Sequence, residues 1–222
     1  MPSTKVRSSS PRTKGDRESV RKAILDAAME LAGEVGGDFT TQDLIKRADV
    51  ALQTFYRHFG GKDQLLLAML ATRIQQFADQ LGQAGQEIAD PVERLHDYVT
   101  MALESLGPET GAGASFITSE HWRLHQLHPH EVAEATQAFA DLIQREIEAG
   151  VATGQLTVAD PARAAWLINK LVMSVFHHYA FMPDDPALAT AAEDVWQFCL
   201  GAIGGAAPAA GSRGGRRAIR RR

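Results

Sequence analysis

The chain has 222 residues, of which 45% are hydrophobic and 23% charged, an ordinary globular composition with room for one sizeable core or two modest domains. No apolar run reaches the roughly 18 residues a membrane span needs, since the best stretch, 164 to 176, is broken by Asn169 and Lys170. The formal net charge of -4 hides a segregation: residues 1 to 62 carry 11 Lys+Arg against 8 Asp+Glu, residues 63 to 204 carry 6 against 19, and residues 205 to 222 carry 6 against none. A polyanion is therefore drawn to the N-terminal part and repelled by the middle. The single cysteine, Cys199, excludes an internal disulfide and fits a reducing compartment. With no apolar signal segment after the charged, Ser-rich start, the expected location is the cytoplasm.

Residues 1 to 17 are rich in Ser, Pro, Arg and Lys, show no apolar periodicity, and are expected to form a disordered basic arm. Helical spacing begins with Ile24, Leu25, Ala28, Leu31, Ala32 and Val35, and Gly36-Gly37 stops it. Two short helices are predicted at about 41 to 48 and 52 to 58. A long one follows Gly60-Gly61, with Leu65, Leu66, Met69, Leu70, Ile74, Phe77 and Leu81 on its inner face. Further helices are predicted at about 91 to 106, 113 to 127, 130 to 153, 161 to 181 and 186 to 203, two of them opened by Asp-Pro pairs at 90–91 and 160–161. Without a convincing strand or hairpin signal, the expected fold is all-α. Residues 205 to 222 run to Gly, Ala, Pro and Arg and are expected to be a disordered basic tail.

The most informative stretch is 40 to 59, Thr-Thr-Gln-Asp-Leu-Ile-Lys-Arg-Ala-Asp-Val-Ala-Leu-Gln-Thr-Phe-Tyr-Arg-His-Phe. Thr40 and Asp43 have capping-box spacing, and Leu44, Ile45 and Ala48 face inward on the helix they open. Asp49-Val50-Ala51 is a short turn, after which Phe55 and Phe59 turn inward. Two short helices joined this way project the second outward, a geometry suited to a DNA major groove. The base-reading candidates are Gln42, Leu52, Gln53 and Thr54: a Gln amide can bind adenine N6 and N7 together, and Leu can pack on a thymine methyl.

This stretch, together with Arg21-Lys22-Ala23-Ile24-Leu25-Asp26-Ala27-Ala28 before it and Gly61-Lys62-Asp63-Gln64-Leu65-Leu66 after it, closely resembles the tetracycline-repressor (TetR) family over about residues 20 to 68. Beyond that, only the succession of helices agrees. The resemblance implies a helix-turn-helix DNA-binding domain at 18 to 62 and a helical domain at 63 to 204 that forms a homodimer and holds a small-molecule pocket. It also implies that Thr41, Tyr56, His58 and Lys62 hold the DNA backbone, while Arg57 could contact either backbone or bases. Three residues depart from the family pattern: Asp49 where Gly is usual, Ala51 where Ser or Thr is usual, and Gln53 where Gly is common.

In the C-terminal helices an effector pocket could be lined by Phe116, Trp122, Phe139, Ile143, Trp166, Met173, Phe176 and His177, with His121, His125, Asn169 and Ser174 as polar anchors. The acidic balance there points away from an anionic effector and toward a small neutral or cationic apolar one. His121 and His125, with His128 and His130 nearby, have a spacing that could hold a metal, but Trp-Arg-Leu fills the gap where a zinc hydrolase places Glu, and none is expected. No cofactor is expected either, because Gly111-Ala112-Gly113 lacks a third Gly and a preceding strand. Gly113-Ala114-Ser115-Phe116-Ile117 lacks the final Gly of a nucleophile elbow, so no enzyme is expected. A stripe of Leu188, Ala192, Val195, Trp196, Cys199 and Ile203 is too wide for one exposed face and is expected to build a four-helix dimer interface with the preceding helix, some of it also serving the protomer's own core. The expected function is a repressor that binds an inverted-repeat operator in double-stranded DNA and is released by its effector. The alternative is a ligand-independent architectural DNA binder.

Overall fold

A computed structural model describes residues 14–35, 39–106 and 111–205. Those residues fold into helices without a strand: α1 (Lys14–Val35), α2 (Thr41–Arg47), α3 (Leu52–Phe59), α4 (Lys62–Ala84), α5 (Pro91–Glu104), α6 (Gly111–Leu127), α7 (Pro129–Ala135), α8 (Gln137–Ala152), α9 (Pro161–Ala180) and α10 (Leu188–Ala202). The all-α expectation holds. None of these helices is long and apolar enough to cross a membrane.

Several boundaries differ from those the sequence suggested. Lys14 to Arg17, expected in the basic arm, belong to the first turn of α1, where Asp16 favourably meets the positive end of the helix dipole and its carbonyl accepts from Ser19 Oγ at 3.0 Å. The rest of the arm, the Gly36-Gly37 stop, and the basic tail beyond Gly205 lie outside the described residues. The helix expected from 130 to 153 is two, α7 and α8, divided at Thr136, whose ψ of 0° breaks the hydrogen-bond ladder that a uniform helix keeps. The Asp-Pro pairs act as read: Asp90 accepts from the Val92 amide at 2.8 Å and Asp160 from the Arg163 amide at 2.9 Å, each with proline in the first turn.

The chain forms two compact units. The first consists of the described residues up to Arg73 together with Ser119–Ala135, so the end of α6 and all of α7 belong to the unit that holds α1, α2 and α3. Its buried side chains include Ile24, Leu31, Phe39, Leu44, Phe55, Phe59, Leu65, Leu124 and Val132.

The second unit comprises Ile74–Thr118 and the chain from Thr136 onward. It is built on the packing of α5 against α8 and α10 and of α8 against α9, around Leu81, Leu95, Val99, Ile143, Ile147, Val172 and Leu200. A half-buried ion pair of 2.7 Å joins Arg94 of α5 to Glu146 of α8, and Arg94 also donates to the carbonyls of Ile88 and Ala89. The apolar stripe on α10 turns into this unit's own core, with Val195, Trp196, Cys199 and Ile203 all buried. These four residues are therefore not a surface left for a second protomer. The large apolar residue left exposed on α10 is Phe198, at 69%.

Candidate nucleic-acid interface

The helix-turn-helix is built as the sequence proposes. Asp43 accepts from the Thr40 amide at 2.8 Å and from its hydroxyl at 2.6 Å, while the Asp43 amide donates to Thr40 Oγ1 at 3.2 Å, a complete capping box. These bonds from Thr40 hold the Asp43 carboxyl below its ordinary pKa. The α2 helix ends on Arg47, and the chain reverses at Asp49, the only non-glycine residue with positive φ among those described, at 50°. Asp tolerates that left-handed conformation better than most residues. The turn is closed by the Val50 amide, which donates to the Ile45 carbonyl at 3.0 Å.

Ala51 caps α3 through its backbone alone: its carbonyl accepts from Thr54 and Phe55 amides at 2.8 and 3.2 Å, and no side chain completes the cap. At the far end Gly60 takes φ 69°, and its amide donates to the Tyr56 carbonyl. Between the caps the helix is sharply two-sided. Phe55 and Phe59 are buried and stacked, with ring centroids 6.1 Å apart, and the Arg21 guanidinium of α1 lies 4.9 Å over the Phe59 ring. On the other side Leu52 is 46% and Tyr56 51% exposed, and Gln53 and Arg57 are exposed beside them. Positions 52, 53, 56 and 57 form one contiguous helical face. Thr54 and His58 are half-buried at its edges; on α2, Gln42 is exposed and Thr41 half-buried.

Lys62 is tied more closely than its charge suggested. Its ammonium donates to the Phe39 carbonyl at 3.0 Å and sits 4.9 Å over the Phe39 ring, joining the start of α4 to the residues that lead into α2. Arg47 and Glu34 make a second such link, from α2 to α1. Neither link is marked by residue spacing, because both pairs join residues that are neighbours only after folding.

The effector-pocket candidates divide between the two units. In the second unit Phe139, Ile143, Asn169 and His177 are buried, Phe116, Met173 and Phe176 are half-buried, and Ser174 is exposed. Trp166 is 44% exposed, with the Arg163 guanidinium 4.3 Å over its ring. The other three candidates belong to the first unit. There Trp122 is 53% exposed and stands edge-on to His121 and His125, whose rings lie parallel at 6.1 Å. Among the described residues no three His, Cys, Asp or Glu side chains gather in a way that could hold a metal ion. Two further polar features carry no mark in the sequence. The Thr118 hydroxyl of α6 is fully buried with no hydrogen-bond partner among the described residues. A cleft of about 460 Å³ between α5 and α10 is edged by His96, Thr100, Glu104, Leu188 and Glu193 and includes none of the named candidates.

Residues 24–69 match the family described as bacterial regulatory proteins, tetR family, and residues 89–180 match the tetracyclin repressor-like C-terminal domain. The HTH-type transcriptional regulator BetI of Rhizobium meliloti is 27% identical over 126 residues, which cover 55% of this chain and 62% of that protein. YhgD of Bacillus subtilis, an uncharacterized HTH-type transcriptional regulator, is 26% identical over 159 residues, 70% of this chain and 81% of the relative. A TetR-family regulator from Pectobacterium atrosepticum has the same fold, with a TM-score of 0.71 at 22% identity over 86% of this chain and 97% of that one. So does Thermus thermophilus FadR, a TetR-family repressor solved with lauroyl-CoA, with a TM-score of 0.66 at 22% identity over 88% of this chain and 100% of that one. The two family matches fall on the two-sided helix-turn-helix and on α5 to α9, and the chain belongs to the TetR family of helix-turn-helix transcriptional regulators.

Proposed function

We propose that the protein is a repressor that binds an inverted-repeat operator as a homodimer and leaves it when a small effector binds the helical unit. The observation that carries this reading is the outward face of α3, where Leu52 and Tyr56 stand about half exposed beside Gln53 and Arg57. Two apolar side chains held in water on so short a helix are a cost unless something covers them. A major groove does so: Leu52 meets a thymine methyl, Gln53 reads adenine, and Arg57 and Tyr56 reach phosphate or base edges. Thr41, Gln42, Thr54, His58 and Lys62 flank that face and complete the contact surface.

The effector site is placed in the second unit, around Phe116, Ile143, Met173 and Phe176, with Asn169, His177 and the Thr118 hydroxyl as hydrogen-bonding groups. Asn169, Met173 and His177 are spaced by four on α9 and share one stretch of its surface. Burial holds His177 neutral, its pKa pushed down to about 4, so it offers a ligand a neutral donor or acceptor. Related folds accept chemically distant ligands, resorcinol in RolR and lauroyl-CoA in FadR. The surplus of carboxylates between residues 63 and 204 favours a neutral or cationic apolar effector here. A cytoplasmic location follows from the proposed partner.

The test is selection of bound fragments from a genomic or random duplex library, followed by affinity measurements on the selected sequence. Gln53→Ala is expected to weaken binding by about 1 to 3 kcal/mol and to relax preference at one base pair per half-site. Lys62→Ala is expected to weaken binding to all sequences alike. Enrichment of no sequence above background would remove the operator reading, and equal effects of the two variants across the library would misplace the reading helix.

A further inference from the structure

Asp63 stands in the first turn of α4, one residue past Lys62. Two side chains from a distant part of the chain converge on it. Arg123 of α6 donates through Nη2 to Oδ1 at 2.6 Å, and His128, between α6 and α7, brings Nε2 to 3.6 Å from Oδ2. Arg123 also donates through Nε to Glu120 at 2.8 Å, and His128 Nδ1 lies 3.7 Å from Glu131. The Arg123 contact is the first cause of an Asp63 pKa held below the ordinary carboxylate range. Below this polar layer Leu124 and Val132 are buried, and residues 119–135 belong to the same compact unit as the helix-turn-helix.

The position of Asp63 gives the cluster its consequence. Lys62, its neighbour, is fixed on the Phe39 carbonyl, which leads directly into the Thr40 cap of α2, and Gly60-Gly61 alone separates α3 from α4. A side chain that fixes the first turn of α4 therefore fixes the base from which α2 and α3 project. We propose that Arg123, assisted by His128, is a positioning residue for DNA binding. Through Asp63 it holds the start of α4, and with it the recognition helix, in the binding orientation, although it lies some sixty residues beyond the helix-turn-helix. Glu120, from within α6, holds the Nε edge of the same guanidinium while Nη2 holds Asp63, so the two carboxylates share it. The inference rests on the reading of α3 as the recognition helix, but its first measurement is independent of DNA.

Amide hydrogen exchange of the full-length free protein is measured for Arg123→Gln, Asp63→Asn, Glu120→Gln and the Arg123→Gln/Asp63→Asn double variant, alongside affinity for a duplex selected by the wild-type protein. Arg123→Gln and Asp63→Asn are expected to speed exchange at the α3 and α4 first-turn amides and to weaken duplex binding roughly three- to fivefold, the range of a partly exposed ion pair. The double variant is expected to be no worse than Asp63→Asn alone, because the Arg123–Asp63 bond is already lost there. Glu120→Gln is expected to leave that exchange and duplex affinity near wild type, since the Nη2 bond to Asp63 remains. A merely structural role for α6 predicts instead that Glu120→Gln loses as much as Arg123→Gln, because both break the Arg123–Glu120 pair. Unchanged exchange at α3 and α4 in Arg123→Gln, or additive losses in the double variant, would overturn the proposal. Failure of the wild type to select any duplex would instead strike the recognition-helix reading, and the exchange data would still decide the clasp.

Discussion

Arg47, the last residue of α2, grips Glu34 of α1 with two near-parallel bonds, Nη1 to Oε1 at 2.9 Å and Nη2 to Oε2 at 2.7 Å, and Nη1 reaches Glu30 at 3.4 Å. This fork lies on the surface, and it aligns α2 against α1 in a way that a single contact would not. Arg47→Gln is expected to lower the urea midpoint. Arg47→Lys should fall between the two, because an ammonium cannot hold both oxygens. The difference from wild type should shrink in high salt. The bond from Arg47 holds the Glu34 carboxyl below its ordinary value, so the contribution is present above the unfolded pKa and fades as pH falls through the folded one. An Arg47→Gln variant whose deficit is the same at neutral pH and in acid would show that the fork does not act electrostatically.

Asp49 carries the turn between α2 and α3 at φ 50°. A β-branched residue there meets its own backbone, so Asp49→Val is expected to cost about 1 to 2 kcal/mol, while Asp49→Gly should stay within about 0.5 kcal/mol of wild type because relief of strain is offset by a freer unfolded chain. Urea midpoints measure both. Equal loss from Val and Gly would mean that the Asp carboxylate, and not the backbone conformation, is what the turn requires.

The helix-turn-helix was legible in the sequence because its determinants are local: a cap three residues from its partner, a turn of three, and aromatic residues at helical spacing. The α10 stripe was legible only as apolar. Its width implied that part of it serves the protomer's own core, but periodicity could not say which part, and Val195, Trp196, Cys199 and Ile203 do so. The Arg47, Lys62 and Arg123 links were not legible at all, since each joins residues that the folded backbone brings together and no spacing marks them. Thr136 hid the α7–α8 break because a Thr inside an otherwise helical pattern carries no stop signal of its own.

Two histidines in the second unit titrate in opposite directions. Burial, aided by the Lys170 charge, pushes His177 down to about 4 from an ordinary value near 6.5. Between those values the unfolded chain holds a proton that the folded chain does not, so stability rises with pH across the window. Going from pH 7 to pH 5 should cost about 2 kcal/mol through this group alone. His177→Leu should remove most of that loss, read as the difference in urea midpoints at the two pH values. His96 is raised, first by its bond to Asp97 at 2.9 Å, with Glu193 at 3.3 Å adding to it against burial. Its contribution is fully present below the unfolded value and is lost as pH rises through the folded one, so His96→Gln should weaken the protein more in mild acid than at pH 8. Parallel pH profiles for wild type and both variants would leave the acid sensitivity to the carboxylates.

The proposed dimer must use surface that the protomer core leaves open, and this shifts the prediction from the residues the sequence favoured to Phe198. It stands 69% exposed on α10 while its neighbours Trp196, Cys199 and Leu200 are buried. A phenylalanine so placed costs free energy in a monomer and contributes twice in a two-fold interface, once from each protomer. Burying each ring is worth about 1.5 to 3 kcal/mol, so Phe198→Glu should weaken the dimer by about 3 to 6 kcal/mol, a factor of roughly 10² to 10⁴ in dissociation constant. The variant should keep its helical content and monomer fold, run as a monomer in light scattering, and lose affinity for a two-half-site operator far more than for a single half-site. Trp196→Ala should do the reverse, costing about 3 to 5 kcal/mol of protomer stability by opening a cavity under α5 and α10 while leaving the association surface in place. A Phe198→Glu protein that remains dimeric at wild-type concentrations would place the interface elsewhere, and the spacing of the two recognition helices would have to be derived from that other face.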